Sequence, residues 1–278
     1  MKPREARTMR KRGPPSQTRW ESMPRVDLEK LLACPVCKIA LSRKKHSVSC
    51  KFKGIKIQSK NRVWDFLTPI NAKTKSQIAN ERMHNLGPWE RISDGSYEIL
   101  AAFAKGNKTV DIACGDGYIE ELAPQTVGVD FSISALTKAK NRGAKYLVCA
   151  NAENLPFVNN AFDLSISAGS LENIENPQKA IFEMARISKI QIMTVHREFD
   201  FPFARQARNI ATKLFNINHQ PVEKPQKQNE LESMLKKAKL HIIFKGFWTL
   251  PTNYGKVVKF LPEFQNIPAC SFFISIKM

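Results

Sequence analysis

The chain has 278 residues, of which 42% are apolar and 25% charged, and its formal net charge is +19. This length suits one large domain with a smaller one, and the apolar fraction is sufficient for a buried core. No apolar run has the length of a membrane span, because Lys245 interrupts the longest one, around Ile242 to Leu250. The first twenty residues are basic and polar, unlike a signal peptide, and six scattered cysteines do not form a disulfide framework. We therefore predict a cytoplasmic protein without a membrane segment.

The positive charge is concentrated at the front of the chain. Residues 1–75 contain 20 Lys/Arg against 5 Asp/Glu, a net +15, whereas residues 76–278 contain 24 against 20, a net +4. Such an excess attracts polyanions. It could also be a solvated basic tail that only aids solubility. We predict a disordered basic arm over residues 1–26, because that segment has too few apolar groups to fold alone.

Residues 27–70 contain three cysteines at spacings typical of a metal site. Cys34-Pro35-Val36-Cys37 forms a knuckle, and Cys50 follows after an alternating stretch. This pattern resembles the zinc ribbon that precedes some methyltransferases, including the rRNA guanine methyltransferases, in which the ribbon helps grip RNA. The resemblance implies a small β domain, possible structural zinc on Cys34, Cys37 and Cys50, and nucleic acid as partner, RNA ahead of DNA, through residues 1–75.

The ribbon pattern is incomplete. A second knuckle ligand should follow Cys50 by two or three residues, where the chain has Phe52 and Lys53. A structural tetrahedral zinc site needs four ligands. His46 could complete it, or the ribbon has lost its metal and depends on hairpin packing. We expect Trp64 and Phe66 to dock the ribbon on its neighbour.

Residues 71–95 form a polar linker, and the strand–helix alternation of residues 96–278 begins after it. The apolar run Thr109–Ile112 stops at Gly115 and Gly117, and an amphipathic segment follows. We interpret this as a buried strand, a tight turn and the start of a helix, at which a flat polar ligand can dock. The next apolar run ends in Asp130, where a carboxylate can accept both hydroxyls of a ribose. The absence of a Lys-Ser/Thr pair after the glycines excludes a phosphate-binding P-loop.

Two further runs complete a series of four motifs. The third, Tyr146–Cys149, leads to Asn151-Ala152-Glu153-Asn154-Leu155-Pro156-Phe157, and the fourth, Phe162–Ser167, leads to Ala168–Ile174. In this order they resemble the class I S-adenosylmethionine (SAM) dependent methyltransferases, closest to the type 11 group, over residues 96–196. The resemblance implies an α/β, Rossmann-like, seven-stranded and mostly parallel sheet with helices on both faces. A nucleotide other than SAM on a similar fold is the alternative.

The resemblance assigns roles to residues at matching positions. Asp111 and the turn Ala113-Cys114-Gly115 to Gly117 would hold the methionine moiety of SAM. Asp130 would bind the ribose and Phe131 the adenine. The remaining expected cofactor contacts are Asn151, Ala152 and Glu153 around the adenine, and Ser167 and Ala168 beneath the methyl group. Residues 71–95 would fold over the cofactor as a lid, with Trp89 and Tyr97 either near the methionine end or as packing aromatics.

No catalytic base is evident from the sequence. His196, at the end of the fifth predicted strand, is a candidate, although a lone histidine is more often structural. Three functions remain open: a nucleic-acid methyltransferase, most simply on RNA; a small-molecule methyltransferase of the quinone or natural-product kind; and a non-catalytic SAM-binding partner module. The intact glycines and Asp130 argue against the third. The oligomeric state is not predicted.

Overall fold

The structure is a computed structural model that describes residues 26–44, 47–67, 78, 81, 84, 85, 95–196, 210, 226–249 and 268–278. Residues 1–25 of the predicted arm, His46 and Trp89 lie outside the described residues. Its strands are β1 (Ser42–Lys44), β2 (Ser47–Ser49), β3 (Lys56–Lys60), β4 (Val63–Asp65), β5 (Thr109–Ile112), β6 (Val127–Asp130), β7 (Tyr146–Cys149), β8 (Phe162–Ala168), β9 (Ser188–His196), β10 (Leu240–Thr249) and β11 (Pro268–Lys277). The α-helices are α1 (Leu28–Leu31), α2 (Ser96–Ala104), α3 (Tyr118–Leu122), α4 (Ile133–Asn141), α5 (Pro177–Ile187) and α6 (Gln228–Lys237).

The strands form one continuous sheet in the order β1-β2-β3-β4-β7-β6-β5-β8-β9-β11-β10. Strands β7, β6, β5, β8 and β9 pair in parallel, and β11 pairs antiparallel with both β9 and β10. The parallel centre is buried, as apolar runs of this kind require. Since parallel strands end at the same edge, the loops after β5, β6, β7 and β8 meet there, which is where open α/β sheets bind ligands.

The N-terminal segment is part of the same sheet. Strand β4 pairs in parallel with β7, Trp64 being opposite Val148, and both Trp64 and Phe66 are buried. A bridge between Leu32 and Phe157 adds a second attachment. Among the described residues the sheet therefore has eleven strands, seven from residues 109–278 and four from the N-terminal segment, so the predicted count of seven is not confirmed for the sheet as a whole. A separate zinc-ribbon domain is not confirmed either, because the two parts share one hydrophobic core.

Local capping signals place the helices that border the ligand edge. Ser132 accepts a hydrogen bond from the Ala135 N–H at the start of α4, and Asn176 accepts one from the Lys179 N–H at the start of α5, where Pro177 is the first helical residue. These N-caps fix where the two helices begin. No helix in the described part of the chain combines the length and the apolar character needed to cross a membrane.

Candidate functional site

The turn between β5 and α3 has three residues in the left-handed region: Ala113 (φ 59°), Gly115 (φ 53°) and Gly117 (φ 80°). At Gly117, a Cβ would lie 2.5 Å from the Cβ and 2.8 Å from the Cα of Ala139 on α4. At Gly115, the nearest atom to a Cβ would be Cε1 of His84, at 3.9 Å. Gly117 is therefore required for close packing of the turn on α4, whereas Gly115 leaves the backbone accessible to a ligand.

Asp130 holds this turn at the end of the neighbouring strand. Its Oδ2 accepts a hydrogen bond from the Gly115 N–H at 2.9 Å, and its Oδ1 accepts one from the Ser132 N–H at 2.8 Å. Burial raises the pKa of Asp130, opposed by the charge of His84 and these two N–H groups. Each oxygen has a further lone pair, so a fixed Asp130 can still accept ligand hydroxyls.

A narrow cleft opens beside Asp130 at the carboxyl edge of the sheet. It contains six of the residues predicted to contact the cofactor: Ala113, Asp130, Phe131, Asn151, Ala152 and Glu153. Val129, Ala150, Asn173, Ile174 and Glu175 complete the lining, and the sequence reasoning gave them no binding role. Asn173 and Ile174 end the fourth motif, and Glu175 follows it directly.

The other predicted cofactor residues do not line this cleft. Cys114 faces a core cluster with Leu136 and Ala139, and burial raises the pKa of its thiol well above the usual value. Asp111 is buried within β5. Ser167 and Ala168 end β8, which lies beside β5 at the same edge. Gly115 and Gly117 act through the backbone of the turn.

Three buried carboxyl groups lie around the turn. Burial, together with the charges of Glu120 and Asp130, raises the pKa of Asp111 well above its usual value. Burial and the Asp130 charge raise the pKa of Glu120 to about 8, against an opposing backbone hydrogen bond. Asp111 Oδ1 and both oxygens of Glu120 lack a hydrogen-bond partner among the described residues. A site with a glycine turn and hydroxyl acceptors fits a nucleoside, such as the adenosine part of SAM. The sequence reasoning missed Glu120, which stands in an amphipathic helix like an ordinary surface residue.

Two described residues of the linker contact this site. Glu81 Oε1 accepts hydrogen bonds from the Ser134 N–H at 3.1 Å and the Ser134 hydroxyl at 3.0 Å. His84 Nδ1 lies 3.1 Å from Asp116 Oδ1. Burial raises the pKa of Asp116, but the hydrogen bond to His84 outweighs this effect and lowers the pKa below its usual range. Glu81 and His84 thus lie against the glycine turn, where the resemblance predicted a lid.

His196 ends β9 beside the loop that follows β8. Its Nδ1 pairs with the fully buried Glu172 carboxylate, and its backbone N–H donates to Glu172 Oε1 at 3.3 Å. Burial lowers the pKa of His196, but hydrogen bonds to Cys270 and Glu172 raise it to about 11. An imidazole that is already protonated donates a proton rather than accepting one, so this geometry favours a hydrogen-bond donor over the predicted general base.

The sulfur atoms of the three N-terminal cysteines lie close together. The Sγ atoms of Cys34, Cys37 and Cys50 all lie within 4.8 Å of one another, with Cys37 and Cys50 3.6 Å apart. All three are free thiols, and Cys34 and Cys50 are buried. Three convergent thiols fit a zinc ion, which prefers sulfur ligands, but no fourth Cys, His, Asp or Glu ligand joins them among the described residues.

Comparisons with known proteins agree with this geometry. Residues 110–191 match the family described as "Methyltransferase domain". This part of the chain is therefore similar to a methyltransferase domain, and it lies in the parallel centre of the sheet. A demethylmenaquinone methyltransferase of Paenarthrobacter aurescens is 32% identical over 130 residues, covering 45% of this chain and 50% of the relative. A probable tRNA methyltransferase 9B of Homo sapiens is 36% identical over 104 residues, covering 36% of this chain and 22% of the relative.

A solved structure shares the fold. A SAM-dependent methyltransferase of Thermotoga maritima, described as a possible histamine N-methyltransferase, superposes with a TM-score of 0.56 at 21% identity. The match covers 73% of this chain and all of that one. The chain spans half or less of the length of the two sequence relatives above.

Proposed function

We propose that the protein is a methyltransferase that transfers the SAM methyl group to a base of RNA, which the N-terminal strands help to bind. The RNA assignment rests on the strongly cationic hairpin of β1, β2 and β3, which lies at one end of the sheet. Residues 42–62 contain eight Lys/Arg and no Asp/Glu. The relatives favour no single acceptor, since they include both quinone and probable tRNA methyltransferases.

The hairpin lysines are available to a polyanion. Lys44, Lys56 and Lys60 are exposed on β1 and β3, and none of them pairs with an acidic side chain in the described part of the chain. Arg43 differs, since it pairs with Asp27 at 3.1 Å and with Glu29. Along β3, exposed residues alternate with the buried Ile57, so the lysines at 56 and 60 point away from the hairpin core. Lysines of this kind bind phosphates without reading sequence.

An exposed aromatic side chain lies within the cationic segment. Phe52 is 72% exposed, between the exposed Lys51 and Lys53. An exposed phenylalanine can stack on an unpaired base. Together with the lysines, it favours single-stranded RNA, whose bases are free to stack.

In the proposed reaction SAM supplies an activated methyl group on sulfur, and the chain's residues bind, orient and exclude water. Asp130 would hold the ribose hydroxyls, and Asn151 and Ala152 the adenine edge. The glycine turn, with Asp111 and Glu120 buried behind it, would hold the methionine moiety. His196, held by Glu172, would donate a hydrogen bond to the acceptor.

A small-molecule acceptor of the quinone type is the second candidate, favoured by the identity with the P. aurescens enzyme. In that case the charged hairpin would have no part in catalysis. A non-catalytic SAM-binding module is disfavoured, since the glycine turn, Asp130 and the cleft are all in place.

The test uses tritiated SAM with total RNA in one arm and a metabolite extract in the other. Deletion of residues 1–75 is unsuitable, because β4 and Phe66 belong to the shared core. A triple variant, Lys44→Gln, Lys56→Gln and Lys60→Gln, should weaken RNA binding. The slope of log affinity against log salt should fall by about 0.7 for each lysine in contact.

A matched triple, Lys236→Gln, Lys237→Gln and Lys239→Gln, removes the same charge from exposed positions near the end of α6. It should leave RNA binding unchanged. Calorimetry with SAM should give the same affinity for both triples and the parent. Equal RNA affinity of the two triples, or label only in the metabolite arm, would overturn the RNA assignment.

A further inference from the structure

The chain contains two knuckle turns with the same backbone hydrogen bonds. In the first, the Cys34 N–H donates to the Ile39 carbonyl at 2.9 Å, and the Lys38 N–H donates to the Cys34 carbonyl at 2.7 Å. In the second, the Cys50 N–H donates to the Ile55 carbonyl at 2.8 Å, and the Gly54 N–H donates to the Cys50 carbonyl at 3.2 Å. Each turn thus links its cysteine to the residues four and five positions later.

The left-handed residue falls at the same place in both turns, Lys38 with φ 59° and Gly54 with φ 64°. The first sulfur of each turn also accepts backbone hydrogen bonds from equivalent positions. The N–H groups of Val36 and Cys37 point to the sulfur of Cys34. Those of Phe52 and Lys53 point to the sulfur of Cys50.

The equivalence identifies the residue at the fourth ligand position. Cys37 is three residues after Cys34, and Lys53 is three residues after Cys50. A lysine ammonium has three donors and no lone pair, so Lys53 cannot replace a thiolate. Its side chain is exposed, and so is Phe52 beside it, so this corner of the site faces solvent.

We propose that Cys34, Cys37 and Cys50 bind one zinc ion through three thiolates, and that the fourth coordination position, at Lys53, is open to an exchangeable ligand. Zinc–sulfur bonds of about 2.3 Å place tetrahedral ligands about 3.8 Å apart. The 3.6 Å separation of the Cys37 and Cys50 sulfurs is close to that value. Zinc sites with three protein ligands keep water or another ligand in the fourth position.

The metal site is also linked to the cofactor cleft. Lys38, the residue after Cys37, donates through Nζ to Asn154 Oδ1 at 2.5 Å, to the Leu155 carbonyl at 3.1 Å and to Glu183 at 3.0 Å. The Asn154 N–H in turn donates to the carbonyl of Asn151, which lines the cleft. A bound metal would therefore fix the turn that contains Lys38, and Lys38 holds the loop at residues 151–155 beside the cleft.

The experiment measures metal binding by the full-length protein, kept reduced with a phosphine. Cobalt(II) serves as the spectroscopic probe, and zinc affinity is obtained by competition with a chromophoric chelator. We expect one metal ion per chain and a thiolate–cobalt spectrum that changes when free imidazole or cyanide is added. Cys34→Ser, Cys37→Ser and Cys50→Ser should each weaken zinc binding.

Two variants test whether the fourth position is open: one adds a thiol at that position, and its control adds a thiol two residues away. Lys53→Cys places a fourth thiol in register, so zinc affinity should rise on the order of tenfold or more, and the cobalt spectrum should stop responding to imidazole. Lys51→Cys adds the same thiol and removes the same charge out of register, so it should behave like the parent. Far-ultraviolet circular dichroism confirms that each variant is folded.

Two results would overturn the proposal. The first is a folded, reduced parent that binds no metal, including the case in which only Lys53→Cys binds it. The second is a parent whose cobalt spectrum ignores imidazole and cyanide, which would show that another residue of the chain, such as His46, fills the fourth position. Neither result depends on methyl transfer, so failure here is distinct from failure of the proposed function.

Discussion

Replacement of Gly117 by alanine tests the structural basis of the cofactor turn. The new Cβ would lie 2.5 Å from the Ala139 Cβ and 2.8 Å from its Cα. Neither contact can be relieved by rotating a side chain, because both atoms are fixed to the backbone of α4. The turn and the helix must therefore move apart, and the turn carries the Gly115 N–H that Asp130 accepts.

Two terms set the size of the effect. An alanine in the left-handed region costs about 1–2 kcal/mol. Forcing a methyl group into a packed contact costs about 1–3 kcal/mol more. We expect a loss of about 2–5 kcal/mol in the free energy of unfolding, and a fall in Tm on the order of 10 °C for a chain of this size.

The control is Gly106→Ala, at the other end of the helix–strand unit. Gly106 has φ 88°, and a Cβ there would have no neighbour within 4 Å. Gly106→Ala should lose only the cost of a left-handed alanine, about 1–2 kcal/mol in the free energy of unfolding, and should still bind SAM. Urea unfolding gives the stabilities, and calorimetry with SAM gives the affinities. If Gly117→Ala loses no more stability than Gly106→Ala and binds SAM equally well, the reasoning about close packing at this turn is wrong.

Three other predictions concern single side chains. Asp130→Asn should lower SAM affinity about 10- to 100-fold in calorimetry, because a charged acceptor of the ribose hydroxyls is lost; unchanged affinity would contradict the site. The pKa of Glu120 is about 8 in the folded protein and 4.5 ordinarily. Between pH 4.5 and 8, the folded protein therefore keeps a proton on Glu120 that the unfolded chain has lost. Stability should therefore fall as pH rises from about 4.5 to 8, and Glu120→Gln should flatten this dependence in urea unfolding; an unchanged slope would count against it. Lys38→Met should cost about 1–3 kcal/mol by removing the donor to Asn154, whereas Lys30→Met, which breaks an exposed ion pair, should cost under about 1 kcal/mol. Similar losses in the two lysine variants would refute a specific role for Lys38.

Local patterns were sufficient for much of the fold and part of the site. The glycines after β5, the acid at the end of β6 and the caps of α4 and α5 depend on residues within a few positions of one another. Six predicted cofactor residues line the cleft because parallel strands bring their carboxyl ends together. The burial of Glu120 could not be predicted, because it depends on which side of α3 faces the sheet.

The amino-acid sequence by itself determined the order of strands, turns and helices, the composition of the glycine turn and the spacing of the three cysteines, since each depends on neighbouring residues and backbone stereochemistry. The tertiary structure alone decided that β4 continues the catalytic sheet through β7, and that Lys38 bonds to Glu183, 145 residues away. It also decided that the sulfur atoms of Cys34, Cys37 and Cys50 lie within 4.8 Å of one another. Such contacts form only when the free energy of packing outweighs the entropy of closing long loops, and no local pattern in the chain encodes that balance.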